Sequence, residues 1–437
     1  MIDQNEGVAN SDRSLRRVVA RAVRPPVPVG SRVGNLLRVL GLLAIGTAYQ
    51  GSVPSASMTY IAKEFGNSTA QQSRALAVIR VDIVLSLVML RLADRFGRRR
   101  LLLITATAGP LLTSCCSLAP NLWVFTVLQV CARSMVTATA LLITVIVVEE
   151  VPPELRTWSS AAMVVSAALG SGLAFTAVAI GDSGLRAWRV LYVVPLVSLA
   201  AVGVARRRLP ESQRFLDGRR LSRSSDESAG VVSNVRDFVS RVRVHRARLI
   251  VVSIFVALLA FENTPTRQLQ NDFLRNQLDF SSKQVALFSV LTNVPGVLGL
   301  LCGGLLGDRF GHRRLLAFTI TGFLIGDAGL FLSDGSAVWA WSVFGAFFGA
   351  ASIPVVAILS AELFPTGFRS TANGVTTAVS RIGGVLGLLV AGSLTEVWSQ
   401  GSAIAFTTIA LFFSLFLLPL IPETSGRDLE SLNPEDA

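Results

Sequence analysis

Histidine and cysteine are scarce. His245 and His312 are the two histidines of the 437-residue chain, and Cys115, Cys116, Cys131 and Cys302 are its four cysteines. None of them stands at metal-ligand spacing, and all four thiols fall in apolar stretches, so neither a metal site nor an extracellular disulfide framework is expected, and no cofactor. A Gly-Lys-Ser/Thr phosphate loop and a Gly-x-Ser-x-Gly nucleophile elbow are both missing, which argues against an ATP-driven pump and against an enzyme of the hydrolase kind. Charge is short too, at 16% of residues, where an ordinary soluble domain carries roughly 25%. Alternating ten-residue segments, the mark of a membrane β-barrel, do not occur.

Apolar residues fill the gap. They make up 51% of the chain, the mean hydropathy is +0.57, and runs of about 20 apolar residues, enough to cross roughly 30 Å of hydrocarbon, recur from residue 34 almost to the end. Breaks at Pro, Gly and charge clusters predict twelve spans, near 34–55, 74–93, 100–119, 121–148, 158–180, 187–205, 248–270, 283–306, 314–333, 337–361, 371–396 and 402–421. The expected architecture is an all-α membrane protein. Residues 1–33 are polar and Arg-rich with no apolar core, which fits a disordered cytoplasmic tail rather than a cleaved signal. Residues 206–247 read as a cytoplasmic linker between bundles at 34–205 and 248–421, and 422–437 as a short tail.

Charge gives orientation. Of the 40 basic residues, 28 lie in segments on the same side as the N-terminus, twelve of them in 206–248. The positive-inside rule places both termini in the cytoplasm, and a bacterial plasma membrane is the expected location. The net charge of +12 and the pI of about 10.9 are explained by arginines flanking spans, so no nucleic-acid partner is expected. Those of the linker are also placed to lie on anionic lipid headgroups.

Three motifs then recur. LADRFGRRRLLL (92–103) returns as LGDRFGHRRLLA (306–317), EEVPPELR (149–156) as AELFPTGFR (361–369), and LPESQRFL (209–216) as IPETSGRDL (421–429), at offsets of 214, 213 and 212 residues. One half-chain period, marked three times in the same order, is the signature of a transporter built from two halves. The chain resembles the major facilitator superfamily over essentially all twelve spans, within the branch of the sugar porters and the related organic-ion and metabolite symporters. The resemblance implies two pseudo-symmetric six-helix bundles, a central cavity, and alternating access by rocking.

By resemblance, Asp94, Arg95, Arg98 and Arg99 with Glu149 and Arg156, and Asp308, Arg309 and Arg313 with Glu362 and Arg369, form cytoplasmic gating latches. Exposed pairs of this kind contribute about 0–1 kcal/mol each, and pairs that form in one conformation only bias a two-state equilibrium. One departure is visible: Leu90 stands where the motif opens with Gly, while the second half keeps Gly304.

Charges at bilayer depth are functional candidates by default. They are Arg80 and Asp82 in span 2, Arg133 in span 4, Glu262 and Arg267 in span 7, Asp327 in span 9 and Arg381 in span 11. At 1.5 Å rise per residue, Asp82 and Arg381 lie about 18 Å, and Arg133 about 24 Å, from the cytoplasmic end. On a continuous helix Arg80 and Asp82 point about 200° apart and cannot pair.

The resemblance ranks Arg133 and Glu262 highest for the substrate and proton pathway, then Asp82 and Arg381, with Asp327 a structural brace. Many proton-coupled relatives face a span 4 arginine with a span 1 carboxylate. Here span 1 has Gln50 at about that place and no acid, which leaves Asp82 and Glu262 as proton carriers; an ion pair that never titrates is the alternative for Asp82. Span 11, SRIGGVLGLLVAG, is similar to that of aromatic-acid/proton symporters, and Gly383, Gly384 and Gly387 permit close helix approach. The sugar porters' span 7 signature is absent, as is the Gly-Pro pair that drug/proton antiporters carry in span 5. The expectation is a monomeric secondary transporter that takes up a small organic solute, with an anion favoured by the arginines, and couples to protons. A uniporter or exporter, or a non-transporting nutrient sensor, are the alternatives.

Overall fold

The computed structural model describes residues 28–209, 245–364 and 366–423. Span 1 is Ser31–Phe65, span 3 Arg98–Leu118, span 4 Leu122–Glu150 and span 6 Trp188–Arg208. Span 5 is Pro153–Ala177 continued by a tighter turn, Val178–Ser183. In the second half, spans 7 to 12 are Arg246–Asn276, Ser282–Phe310, His312–Leu332, Ala337–Glu362, Thr366–Leu394 and Gln400–Leu420. Among the described residues, eleven spans are long and apolar enough to cross a bilayer by themselves.

Span 2 is the exception. It consists of Thr69–Ile79 and Asp82–Phe96, separated by a turn at Arg80 and Val81. The N–H groups of these two residues donate to the carbonyls three positions back, Ala77 at 3.2 Å and Val78 at 3.1 Å. The expected continuous helix over 74–93 is therefore corrected, and with it the helical-wheel ground for keeping Arg80 and Asp82 apart. Asp82 opens the second segment, where a carboxylate suits the positive end of the helix dipole.

The half-chain repeat has a backbone counterpart. Gly97 and Gly311, 214 residues apart, precede spans 3 and 9 with φ of 97° and 85°, a region that residues with a Cβ rarely adopt. Spans 1 and 5 meet where a methyl group on Gly170 would strike the carbonyl of Ile45. Spans 7 and 11, their counterparts, meet where one on Gly387 would strike the carbonyl of Phe261. Without a hydrophobic drive between helices in lipid, close backbone contact of this sort supplies the packing. Val165 and Leu169 on span 5, Val294 on span 8, and Phe412 and Phe416 on span 12 stay exposed, as a lipid-facing surface requires.

Three cores hold the molecule together. At the end carrying Arg98 and Glu149, called here the arginine-rich end, each bundle has its own: Leu40, Leu102, Ile146 and Ala205 in one, Phe255, Leu316, Phe364 and Leu411 in the other. At the opposite end one core is shared, with Val53, Leu76 and Trp188 of the first bundle joined to Leu269, Phe273 and Leu388 of the second. Among the described residues the bundles share a core at that end and keep separate cores at the arginine-rich end.

Candidate functional site

A cavity of about 540 Å³ lies between the bundles, lined by Thr47 and Gly51 of span 1, Arg133 and Thr137 of span 4, Ser171 of span 5 and Arg381 of span 11. It abuts a second, of about 440 Å³, which shares Gly51, Ser52 and Ser171 and adds Arg267, Gln270 and Asn271 of span 7. Helix registers explain the membership. Ala44, Thr47, Ala48 and Gly51 follow the i, i+3, i+4, i+7 face of span 1, and Arg133, Thr137 and Ala140 the i, i+4, i+7 face of span 4.

Arg133 is the organising side chain. Its Nη1 donates to the carbonyl of Gly51 at 2.6 Å, and its Nε lies 3.7 Å from Oδ2 of Asp82. The same Oδ2 accepts from the Thr137 hydroxyl at 2.7 Å, so the buried Asp82 is tied to two residues one turn apart on span 4. Arg80 and Arg381 are close enough to act on the charge of this pair, and Nε of Arg80 is buried with no acceptor among the described residues. Three guanidinium groups thus lie near enough to act on one another, with the one carboxylate, Asp82, bound to Arg133.

Two sequence candidates lie elsewhere. Gln50 lines neither of these cavities: it donates to the Gly46 carbonyl at 2.9 Å and accepts from Thr113 of span 3 at 3.3 Å. One residue before Gly51, it is turned about 100° away from the cavity face. Glu262, ranked first with Arg133 by analogy, is fully buried and faces into its own bundle, where its carboxyl is within hydrogen-bonding reach of Asp327 on span 9. Asp327, expected from the sequence to be a structural brace, stands beside Glu262, so that the two acids act on each other.

At the closed end, a polar clamp not anticipated from the sequence crosses between the bundles. Asp272 of span 7 accepts from Thr69 at 3.2 Å and from Gln400 at 2.7 Å. Arg275 donates to Tyr60 and Ser282, and its guanidinium lies 4.4 Å over the Tyr60 ring. Asn271 donates to the Ala56 carbonyl, and Arg74 pairs with Glu396 at 3.3 Å. The signal available was the run RQLQNDFLRN (267–276), too polar for lipid and too regular for a loop.

At the arginine-rich end, Arg98 and Glu149 lie 3.0 Å apart, and Arg99 donates to the Arg206 carbonyl at 2.7 Å. Glu423, from the Pro-Glu-Thr motif, accepts the N–H groups of His312 at 2.8 Å and Arg313 at 3.2 Å, a carboxylate on a helix N-terminus. The side chains of Asp94, Arg95, Arg156, Asp308, Arg309, Glu362 and Arg369 lie outside the described residues.

Comparison with known proteins completes the picture. The profile of the Major Facilitator Superfamily matches residues 39–266 and 268–433. A gentisate transporter of Corynebacterium glutamicum is 25% identical over 382 residues, covering 85% of this chain and 83% of its own length. A cis,cis-muconate transport protein of Acinetobacter baylyi is 23% identical over 335 residues, covering 75% and 78%. Among solved structures, a D-xylose–proton symporter superposes with a TM-score of 0.72 at 18% identity, over 91% of this chain and all (100%) of its own. A nucleoside transporter does so with a TM-score of 0.74 at 13% identity, over 88% and 99%.

Proposed function

The chain belongs to the major facilitator superfamily, and on that premise we propose that it takes up a small organic carboxylate together with protons, by alternating access. A membrane-embedded transporter of small metabolites or sugars, not an enzyme, is the established part. The observation that carries the finer reading is the charge at the cavity: Arg133 and Arg381 line it, Arg80 lies close enough to act on both, and Asp82, bound to Arg133, is the carboxylate beside them. Buried at bilayer depth, each unpaired cation costs about 2.5–3.5 kcal/mol, and an anionic substrate offsets that cost where a neutral sugar does not. The two acids named for the relatives above agree with it.

The arginine-rich end faces the cytoplasm in this reading, of a bacterial plasma membrane with both termini inside. The conformation is then open inward, with the Asp272 and Arg275 clamp as the outer gate. Arg98 with Glu149, and the second-half motif with Glu423, are the inner latches; the remaining motif residues complete them. The protein works as a monomer, each chain enclosing its own cavity.

The test is reconstitution in liposomes with gentisate, cis,cis-muconate and D-xylose as probes. Uptake of an acid driven by an inward proton gradient and abolished by a protonophore is expected. Arg381→Gln should raise KM by about tenfold or more, since a hydrogen bond to a charged group contributes about 1.5–3 kcal/mol. Transport of xylose alone would sink the carboxylate reading, and accumulation indifferent to the protonophore would sink the coupling.

A further inference from the structure

Glu262 and Asp327 are both buried, at 0% and 4% exposure, and lie deep in the second bundle. Glu262 is sixteen residues past Arg246 and Asp327 fifteen past His312, so both stand about 22–24 Å from the arginine-rich ends of their spans. One oxygen of each is satisfied or packed. Thr266 donates to Glu262 Oε1 at 2.9 Å, and Asp327 Oδ1 rests against Gly345 of span 10, where a Cβ would come within 2.7 Å of it.

The other oxygens, Glu262 Oε2 and Asp327 Oδ2, have no N–H or O–H donor among the described residues. The carboxyl groups are nonetheless within hydrogen-bonding reach of each other. A hydrogen bond between two carboxyl groups requires a proton on one of them, and two carboxylates sharing a site do not both ionise.

The surroundings supply one cation. Arg267 acts on both acids and lines the cavity between the bundles. Other charges on the packed elements are engaged elsewhere. Asp272 is held by Thr69, Asn276 and Gln400, Arg275 by Tyr60 and Ser282, and Arg381 faces the Arg133 cavity. Span 10 between Ala337 and Ser360, and span 12 between Gln400 and Leu420, carry no charged residue.

We propose that Glu262 and Asp327 together hold one exchangeable proton, the coupling ion of transport, and that Arg267 links this site to the anion in the cavity. The proposal rests on the coupled-uptake reading above. The guanidinium is shared between two negative partners, the acid pair and an anion in the cavity. When the anion engages Arg267, the pair loses compensation and keeps its proton; when the proton leaves, Arg267 is drawn back. Binding of anion and proton then favour each other, and by linkage the factor is the same in both directions.

The test uses the full-length protein in lipid nanodiscs, with Glu262→Gln and Asp327→Asn as separate variants. In each, an amide N–H can replace the shared proton, so both are expected to elute like the wild type. In pH-difference infrared spectra the wild type should show a carboxylic-acid C=O band that both variants lack. Variant spectra indistinguishable from the wild type would overturn the proton site. Gentisate added to the wild type should draw protons from a pH-dye solution, and neither variant nor Arg267→Gln should do so, while Arg267→Gln keeps the infrared band. Should the band behave as stated and the wild type transport gentisate without proton uptake, coupled uptake fails and the pair loses its coupling role. Proton uptake undiminished in both amide variants overturns the dyad alone.

Discussion

Asp82 shows how a single side chain is made tolerable in a span. Its Oδ2 serves both the Thr137 hydroxyl and the Arg133 guanidinium, while Oδ1 has no donor among the described residues. Losing the hydroxyl would remove the shortest of these contacts from a fully buried carboxylate. Thr137→Val should therefore lower unfolding stability by about 1–3 kcal/mol, the range for a buried acceptor deprived of its donor. Thr144→Val, two turns further along the same face of span 4, removes only a bond to the Ala140 carbonyl of its own helix and should leave stability nearly unchanged. Thermal unfolding of the two variants in detergent compares them directly, and equal losses would mean that Thr137 does not support Asp82.

Among the helices, small residues decide which pairs lock. The glycines of span 11 were legible in the sequence as a close-contact face, and Gly387 does lie against the Phe261 carbonyl of span 7. Among the described residues, Gly304, the opening glycine of the second-half loop motif, has no heavy atom of another element within 4 Å of an added Cβ. Gly387→Ala should thus destabilise by about 1–3 kcal/mol through overpacking. Gly304→Ala should be neutral or stabilise by roughly 0.5–1 kcal/mol, as expected when a helical glycine gains a methyl group. A larger fall in melting temperature for Gly304→Ala than for Gly387→Ala would contradict this packing. The break in span 2 was not legible. VIRVDIV reads as one apolar helix with two charges in it, and nothing local, neither proline nor glycine, marks the turn at Arg80 and Val81. The turn becomes intelligible once Asp82 is seen reaching span 4.

For the molecule as a whole, one shared core and a polar clamp close one end, and two separate cores leave the other open. Rocking requires the closed end to part. Arg74 and Glu396 bridge it at the surface, 3.3 Å apart, so the pair Arg74→Cys and Glu396→Cys, in a background with the four native cysteines replaced, should cross-link on oxidation. The cross-link should abolish uptake in liposomes, and reduction should restore it. Full transport by the oxidised pair would show that this end need not open. Each single variant should keep most of its activity, since an exposed pair contributes only about 0–1 kcal/mol.

Hydropathy, the half-chain repeat and the Asp-Arg-x-Gly-Arg/His-Arg motifs determined the twelve spans, the two bundles and the positions of Gly97 and Gly311. These follow from rules that act on single segments: a length to cross, a charge to leave outside, a backbone angle only glycine accepts. The arrangement of the buried charges was decided by tertiary structure alone. Arg133, Glu262 and Asp327 look alike in the sequence, each a charge in an apolar run, because hydropathy carries no information on how a helix is rotated about its axis. Packing against spans 2, 9 and 10 sets that rotation. It gave Arg133 an aspartate, turned Gln50 toward span 3, and brought together two acids that lie 65 residues apart in the sequence.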